Sequence, residues 1–184
     1  KWDTNFLSFT RTDSATLTDG TKRDQDIQRF TTELKWRRRF TDQVGITYTP
    51  FGNVRGDAYQ FDNFTDPETG TLTSNDTTLR GIAAGGITVA YPWINHTAAA
   101  SHIIEPIGQI VSRQASVTQR RLPDEDARSL IFDDTNLFEV TKFSGLDRTE
   151  MGTRANVGMQ YTFQSNSGGY ARVLAGQSYH LSGD

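Results

Sequence analysis

The sequence predicts an all-β fold, an antiparallel transmembrane β-barrel segment carrying about seven strands of a larger barrel. Three features predict it. Apolar and polar residues alternate with a period of two through most of the chain, whereas the helical period of 3.6 hardly appears. Long polar connections alternate with short turns. No apolar run approaches the roughly 18 residues of a transmembrane helix. Any crossing must therefore use strands, whose mean hydropathy stays low because only every second residue meets lipid.

Each strand follows from its own pattern. Trp2 to Thr10 reads as the first. Ile27 to Phe40 is the clearest. Phe30, Thr32, Leu34, Trp36 and Phe40 fall on one face, and Arg29, Thr31, Glu33, Lys35, Arg37 and Arg39 on the other. Arg38 interrupts the greasy face near the strand end, where a long stem can snorkel. The third strand spans about 43 to 61, beginning with Val44, Ile46 and Tyr48. Pro50 and Gly52 favour a turn, so a hairpin at Pro50–Asn53 is the alternative to one continuous strand. Arg80 to Trp93 places Ile87, Val89, Tyr91 and Trp93 on one face. Ala98 to Arg113 has mixed faces, because Glu105, Gln109 and Arg113 share parity with Ile103, Ile107 and Val111. Thr153 to Phe163 alternates Ala155, Val157, Met159, Tyr161 and Phe163 with Asn156, Gly158, Gln160 and Thr162. Tyr170 to Leu181 sets Ala171, Val173, Ala175, Tyr179 and Leu181 against Arg172, Ser178 and His180.

The connections sort by length. About 15 polar residues separate the first two strands, and a tight turn near Thr41-Asp42 follows. A polar loop from Asn63 to Leu79 precedes a short turn at Ile94 to His96. A segment of about 114–151 precedes a short turn at Ser165 to Gly168. Outer-membrane barrels show this sorting, with long loops outside and short turns on the periplasmic side. Bacterial single-chain barrels have even strand numbers, and open edges leave N–H and C=O groups unpaired in lipid. An odd run therefore predicts that residues 1–184 form a partial barrel domain, a fragment whose edges pair with strands outside it.

Composition excludes several functions. The formal net charge of −3 gives no basic footprint for nucleic acid. The absence of cysteine excludes disulfides and thiolate metal sites within these residues. His96, His102 and His180 lack metal-ligand spacing. Asp62, Asp66, Glu68 and Asp76 offer oxygen ligands for calcium, but their spacing fits no EF-hand and reads as an acidic loop. No G-x-S-x-G or Walker A run occurs, and no cofactor is implied.

The segment about 114–151 is too apolar for a solvated loop. It carries Leu130-Ile131-Phe132 and the run L-F-E-V-T-K-F-S-G-L-D-R from Leu137 to Arg148. It is expected to be ordered and to pack on the lumen wall or a partner. The run resembles a motif of the lipopolysaccharide-assembly outer-membrane protein family, the D component of lipopolysaccharide transport, also known as the organic-solvent-tolerance protein. His102-Ile103-Ile104-Glu105-Pro106, Val54-Arg55-Gly56-Asp57, Glu150 to Asn156 and Gly176 to Tyr179 extend the resemblance over roughly residues 43 to 179. Thr141-Lys142 departs from the Asn-Arg of many relatives, which weakens any role for that cation.

The resemblance implies a non-enzymatic translocon of the bacterial outer membrane that assembles lipopolysaccharide into the outer leaflet. It implies a plug lipoprotein of the LptE kind in the barrel, and periplasmic bridge proteins reached through an N-terminal domain. This segment would be the middle of the wall, away from the lateral opening between first and last strands. Phe138, Phe143, Gly145, Asp147 and Arg148 are the expected loop-packing residues. Asp147 beside Arg148 suits charge-assisted fixing of the loop, with contact to phosphates or acidic sugars as the sharper option. Arg29, Lys35, Arg37 and Arg39 form a candidate cationic stripe in the lumen, with ordinary solvation beside Glu33 as its plainer explanation. Alternatives are an outer-membrane barrel lipase or protease, with His102 or His180 near a nucleophile, another porin-like channel, or a soluble β-sandwich adhesin.

Overall fold

The computed structural model describes residues 1–16, 22–62, 64–65, 72–73, 76–115, 137–140, 145–146 and 149–183. Among them are eleven strands: β1 (Trp2–Thr16), β2 (Lys22–Arg37), β3 (Phe40–Thr41), β4 (Thr47–Asp62), β5 (Phe64–Thr65), β6 (Leu72–Thr73), β7 (Asp76–Ala90), β8 (Trp93–His96), β9 (Ala100–Ala115), β10 (Gly152–Ser165) and β11 (Tyr170–Ser182). Seven long strands form one antiparallel sheet in the order β1-β2-β4-β7-β9-β10-β11, so each pairs with its neighbours along the chain. The short β3 and β8 complete the same sheet beside β4 and β9. The sheet is open, with β1 and β11 at its edges.

Register carries the alternation of each strand into two continuous faces. Trp2 pairs with Leu34 and Phe6 with Phe30. Leu34 pairs with Val54, and Val54 with Ala83. Further along, Ile110 pairs with Ala155, and Tyr161 with Val173. These outer residues stay uncovered: Trp2 is 76% exposed, Phe6 65% and Val173 61%. An apolar surface running across seven strands is far beyond what a water-soluble chain exposes, and it is the face that lipid covers. Aromatic side chains gather near the short-turn end of this face. Trp2, Trp36, Phe40, Trp93 and Tyr161 are exposed there, and Tyr91 packs edge-on against Trp93 with ring centroids 5.5 Å apart. Such a belt marks a membrane–water interface.

Pro50 lies inside β4, so the continuous strand holds and the hairpin alternative does not. The reason is local. The Pro50 carbonyl accepts from Arg38 N–H at 3.2 Å, beside the gap between β2 and β3. The nitrogen and carbonyl of one strand residue point the same way, so the missing N–H faces that gap. Pro106 repeats the device: its carbonyl accepts from Tyr91 N–H at 3.1 Å, in the gap between β7 and β8. Pro106→Ala should therefore leave stability within about 1 kcal/mol, because it adds at most one hydrogen bond at the end of a ladder. Urea unfolding in detergent checks this; a gain well above that figure would show that a bonding partner had been waiting.

Several sequence boundaries move. β1 continues to Thr16 and β2 begins at Lys22, so residues 17–21 replace the long first connection. Val44 and Ile46 belong to a turn, where Asp42 Oδ1 accepts from both backbone N–H groups at 3.0 and 2.8 Å and Gly45 has φ +91°. The Asn63–Leu79 loop shortens because β7 starts at Asp76, and β5 pairs with β6 within it. Ile94 to His96 lie in β8, and the turn falls at residues 97–99. At β1, β2 and β7 the strand runs on through polar residues that hydropathy patterning assigns to loop, whereas at the start of β4 apolar residues are taken up by the turn. Two neighbouring short turns are tied together: Asn166 donates from its backbone N–H to Ala99 O at 2.9 Å and from Nδ2 to Ala98 O at 3.0 Å.

Candidate functional site

The inner face carries polar residues at the alternate strand positions. Arg55, Asp57 and Tyr59 come from β4, Arg80 from β7, Gln109 and Arg113 from β9, and Arg154 and Asn156 from β10; all eight are buried. A wall residue facing an open aqueous lumen would be wet. Five of them, Arg55, Arg80, Gln109, Arg113 and Arg154, bond to residues of the long connection, which folds back onto the sheet at 137–140, 145–146 and 149–151.

The cover is held mainly through its backbone. Three consecutive carbonyls each accept from a different wall side chain. Gln109 Nε2 donates to Phe138 O at 2.8 Å, Arg154 Nη2 to Glu139 O at 2.7 Å, and Arg113 Nη2 to Val140 O at 2.6 Å. Farther on, Arg80 Nη2 donates to Leu146 O at 2.8 Å, and Arg55 Nη2 donates to the same oxygen. A loop buried without sheet or helix partners must satisfy its carbonyls in this way, or lose the hydrogen bonds that water would supply. Arginine suits the task because it offers five donors in a rigid fork and stays charged.

The guanidiniums are themselves positioned. Asp57 is the hub on the β4–β7 side. Arg80 Nε donates to its Oδ2 at 2.7 Å, Arg55 Nε lies 3.1 Å from it, and Thr31 Oγ1 donates to Oδ1 at 2.8 Å. Arg80 Nη2 also donates to the Tyr59 hydroxyl at 2.7 Å, with its Cζ 5.3 Å from the ring centroid. Tyr59 stacks on Phe61, which with Ile27 and Phe9 forms a small apolar cluster on the inner face. On the β9–β10 side Glu150 pairs with Arg154, and Asn156 Nδ2 donates to Gln109 Oε1 at 2.7 Å.

Two glycines shape the floor for the loop's apolar side chains. Gly158 of β10 pairs with Gly176 of β11. A Cβ on Gly176 would lie 2.6 Å from Leu137 Cδ2, and one on Gly158 would lie 3.1 Å from Phe138 Cζ. Leu137 is only 3% exposed. Burying such a side chain contributes about 2 kcal/mol.

The residues singled out from the sequence divide accordingly. Phe138 lies on the glycine floor, and Gly145 sits half-buried beside the anchored Leu146. Phe143, Asp147 and Arg148 lie outside the described residues, as do Asp66 and Glu68. Of the cationic stripe, Arg29 is buried on the inner face and Lys35 pairs with Glu33 at 3.0 Å and Asp3 at 3.7 Å. Arg37 ends β2, and Arg39 lies beyond it, both exposed. Lys35 is half exposed, so Lys35→Ala should change stability by no more than about 1 kcal/mol; unfolding midpoints in detergent check this. His102 Nδ1 lies 2.8 Å from the Tyr161 hydroxyl, and His180 Nε2 lies 3.0 Å from Gly183 O. His96 Nδ1 lies 2.8 Å from Ser101 Oγ in an exposed hairpin. No group of three or more metal-ligating side chains occurs among the described residues.

An antiparallel wall with a lipid face outside and a loop anchored inside defines an outer-membrane β-barrel protein. Over residues 1–184 the chain matches the family model LptD, described as LPS transport system D, and it belongs to that family. It is therefore an outer-membrane protein of lipopolysaccharide transport and assembly. No curated protein matches it.

Proposed function

We propose that this chain is part of the wall of the translocon that assembles lipopolysaccharide into the outer leaflet, and that its 137–150 segment is a gate inside the lumen. The observation that carries this reading is the mode of anchorage. The described residues of the loop are held by side-chain donors on backbone carbonyls rather than by strand pairing, so they can leave without unravelling the wall. Such contacts reform with any other set of acceptor oxygens, which a polyhydroxylated, phosphorylated glycolipid supplies in quantity.

In this reading the chain does no catalysis, and the barrel is larger than the open sheet of residues 1–184. Strands outside it complete the edges of β1 and β11, since lipid tolerates no free edge. The family assignment supports the further partners: a plug lipoprotein of the LptE kind in the lumen, and periplasmic bridge proteins that deliver the substrate through an N-terminal domain. For Asp147 and Arg148, which lie outside the described residues, we propose the role expected from the sequence, charge-assisted fixing of the loop. Asp147→Ala should impair barrel assembly more than substrate contact, and normal assembly with lost crosslinking to lipopolysaccharide would reverse that order.

Locking the loop tests the gate. Val140→Cys with Val111→Cys, which face one another where the loop meets β9, joined by a short thiol crosslinker in the parent protein in its membrane, should stop delivery of lipopolysaccharide to the surface. Cleaving the link should restore it. Undiminished delivery with the link fully formed would refute the gate.

A further inference from the structure

Arg38 stands on the face of the sheet that lipid covers. Arg37 pairs with Phe51 and Phe40 with Tyr48, and the Arg38 N–H donates to Pro50 O at 3.2 Å. The register therefore runs on through the gap between β2 and β3 and sets Arg38 opposite Pro50. Alternate residues share a face, so Arg38 lies with Trp36 and Phe40, both exposed. Its level is the aromatic belt at the short-turn end, which is the periplasmic side of an outer-membrane barrel. The guanidinium is seated over the Phe40 ring, 5.1 Å from its centroid. It is exposed, and among the described residues it pairs with no carboxylate. Asp42, the acid nearest along the chain, is already engaged. Its Oδ1 takes the N–H groups of Val44 and Ile46, and its Oδ2 takes the Tyr48 hydroxyl at 3.3 Å.

We propose that Arg38, seated on Phe40, holds the phosphodiester of an anionic glycerophospholipid of the periplasmic leaflet against the outside of the wall. At headgroup depth phosphodiester oxygens are strong acceptors within reach, and a guanidinium engages two of them through its fork. A cation at a membrane surface also draws anionic lipid by charge. The ring beneath the guanidinium adds a cation–π contact and reduces the side-chain freedom that binding must remove. The ligand belongs to the surrounding bilayer and touches neither the lumen nor the loop, so the site does not depend on the gate. Its effect is to pin the turn between β3 and β4 at one depth in the membrane.

The test titrates phosphatidylglycerol into the parent protein in neutral detergent and reads the one-to-one adduct by native mass spectrometry. Arg38→Gln should weaken that adduct about tenfold, the scale of one charge-assisted hydrogen bond. Arg38→Lys should weaken it less, because a point charge replaces the fork. Phe40→Leu should cost about two- to fivefold through the lost cation–π contact. Arg172→Gln removes the same charge from the inner face, where Arg172 pairs with Thr162, and should leave binding unchanged. Inorganic phosphate at the same concentration should not displace the lipid; equal competition would make this a free-phosphate site and overturn the lipid assignment. An equal loss in Arg38→Gln and Arg172→Gln would reduce the effect to net charge and overturn it too. Undiminished lipid binding in Arg38→Gln, with heat-modifiable mobility lost, would assign Arg38 to a protein partner instead.

Discussion

Asp57→Ala should destabilise the folded protein by about 3–5 kcal/mol, the cost of breaking a buried ion pair by removing one partner. Asp57 is 3% exposed and serves two guanidiniums and a hydroxyl at once. Without it, Arg55 and Arg80 remain buried with their charges facing each other, and both also hold Leu146 O. The loop should therefore loosen before the sheet does. Limited proteolysis should cut within 141–148 at protease concentrations that spare the parent protein, while heat-modifiable mobility still reports a folded barrel. Glu150→Ala provides the contrast. Its side chain is 29% exposed and pairs with a single arginine, so its loss should cost less. Equal losses for the two substitutions would show that Asp57 is not the hub.

Gly176→Leu should have a comparable effect by a different route. Even the first carbon of a side chain there would lie 2.5 Å from Val157 O and 2.6 Å from Leu137 Cδ2. The backbone oxygen cannot yield as a flexible side chain can, so the sheet must shift and Leu137 must leave its floor. Overpacking of this kind costs about 1–3 kcal/mol, and losing the buried leucine adds about 2 kcal/mol. Leu137→Ala in the Gly176→Leu background should restore part of the loss by removing the clash, a coupling that a double-mutant cycle reads directly. Strict additivity of the two substitutions would show that they do not meet.

Much of this was legible in the residues. Alternation located all seven long strands, because their outer faces must be apolar to meet lipid. It failed at the end of β1 and the start of β2, where Arg11, Ala15 and Thr16 continue the ladder opposite Gln25, Arg23 and Lys22, beyond any greasy stripe. The anchoring arginines were harder. Arg55, Arg80, Arg113 and Arg154 come from separate strands, and each occupies an ordinary polar position in its own. Only register brings them to one loop, and register across the long connection cannot be counted from sequence. Two signals were nonetheless present. Val111 on the same face as Gln109 and Arg113 marked a covered rather than a watery lumen. Counting back from the Ser165–Gly169 turn sets Gly158 opposite Gly176, a bare floor waiting for a side chain. The run from Leu137 to Arg148 was recognisable as a motif, but its chemistry was not. What the wall grips is mainly the carbonyls of Phe138, Glu139, Val140 and Leu146, and backbone atoms leave no mark on the choice of residue.

The proposed gate can be tested from inside the lumen. A photocrosslinking residue in place of Phe138, in cells that make and export lipopolysaccharide, reports what that side chain touches. With lipopolysaccharide synthesis halted, it should label the β10–β11 wall around Gly158. With synthesis running, part of the label should move to lipopolysaccharide. Labelling confined to the wall under both conditions, with export proceeding normally, would contradict the account.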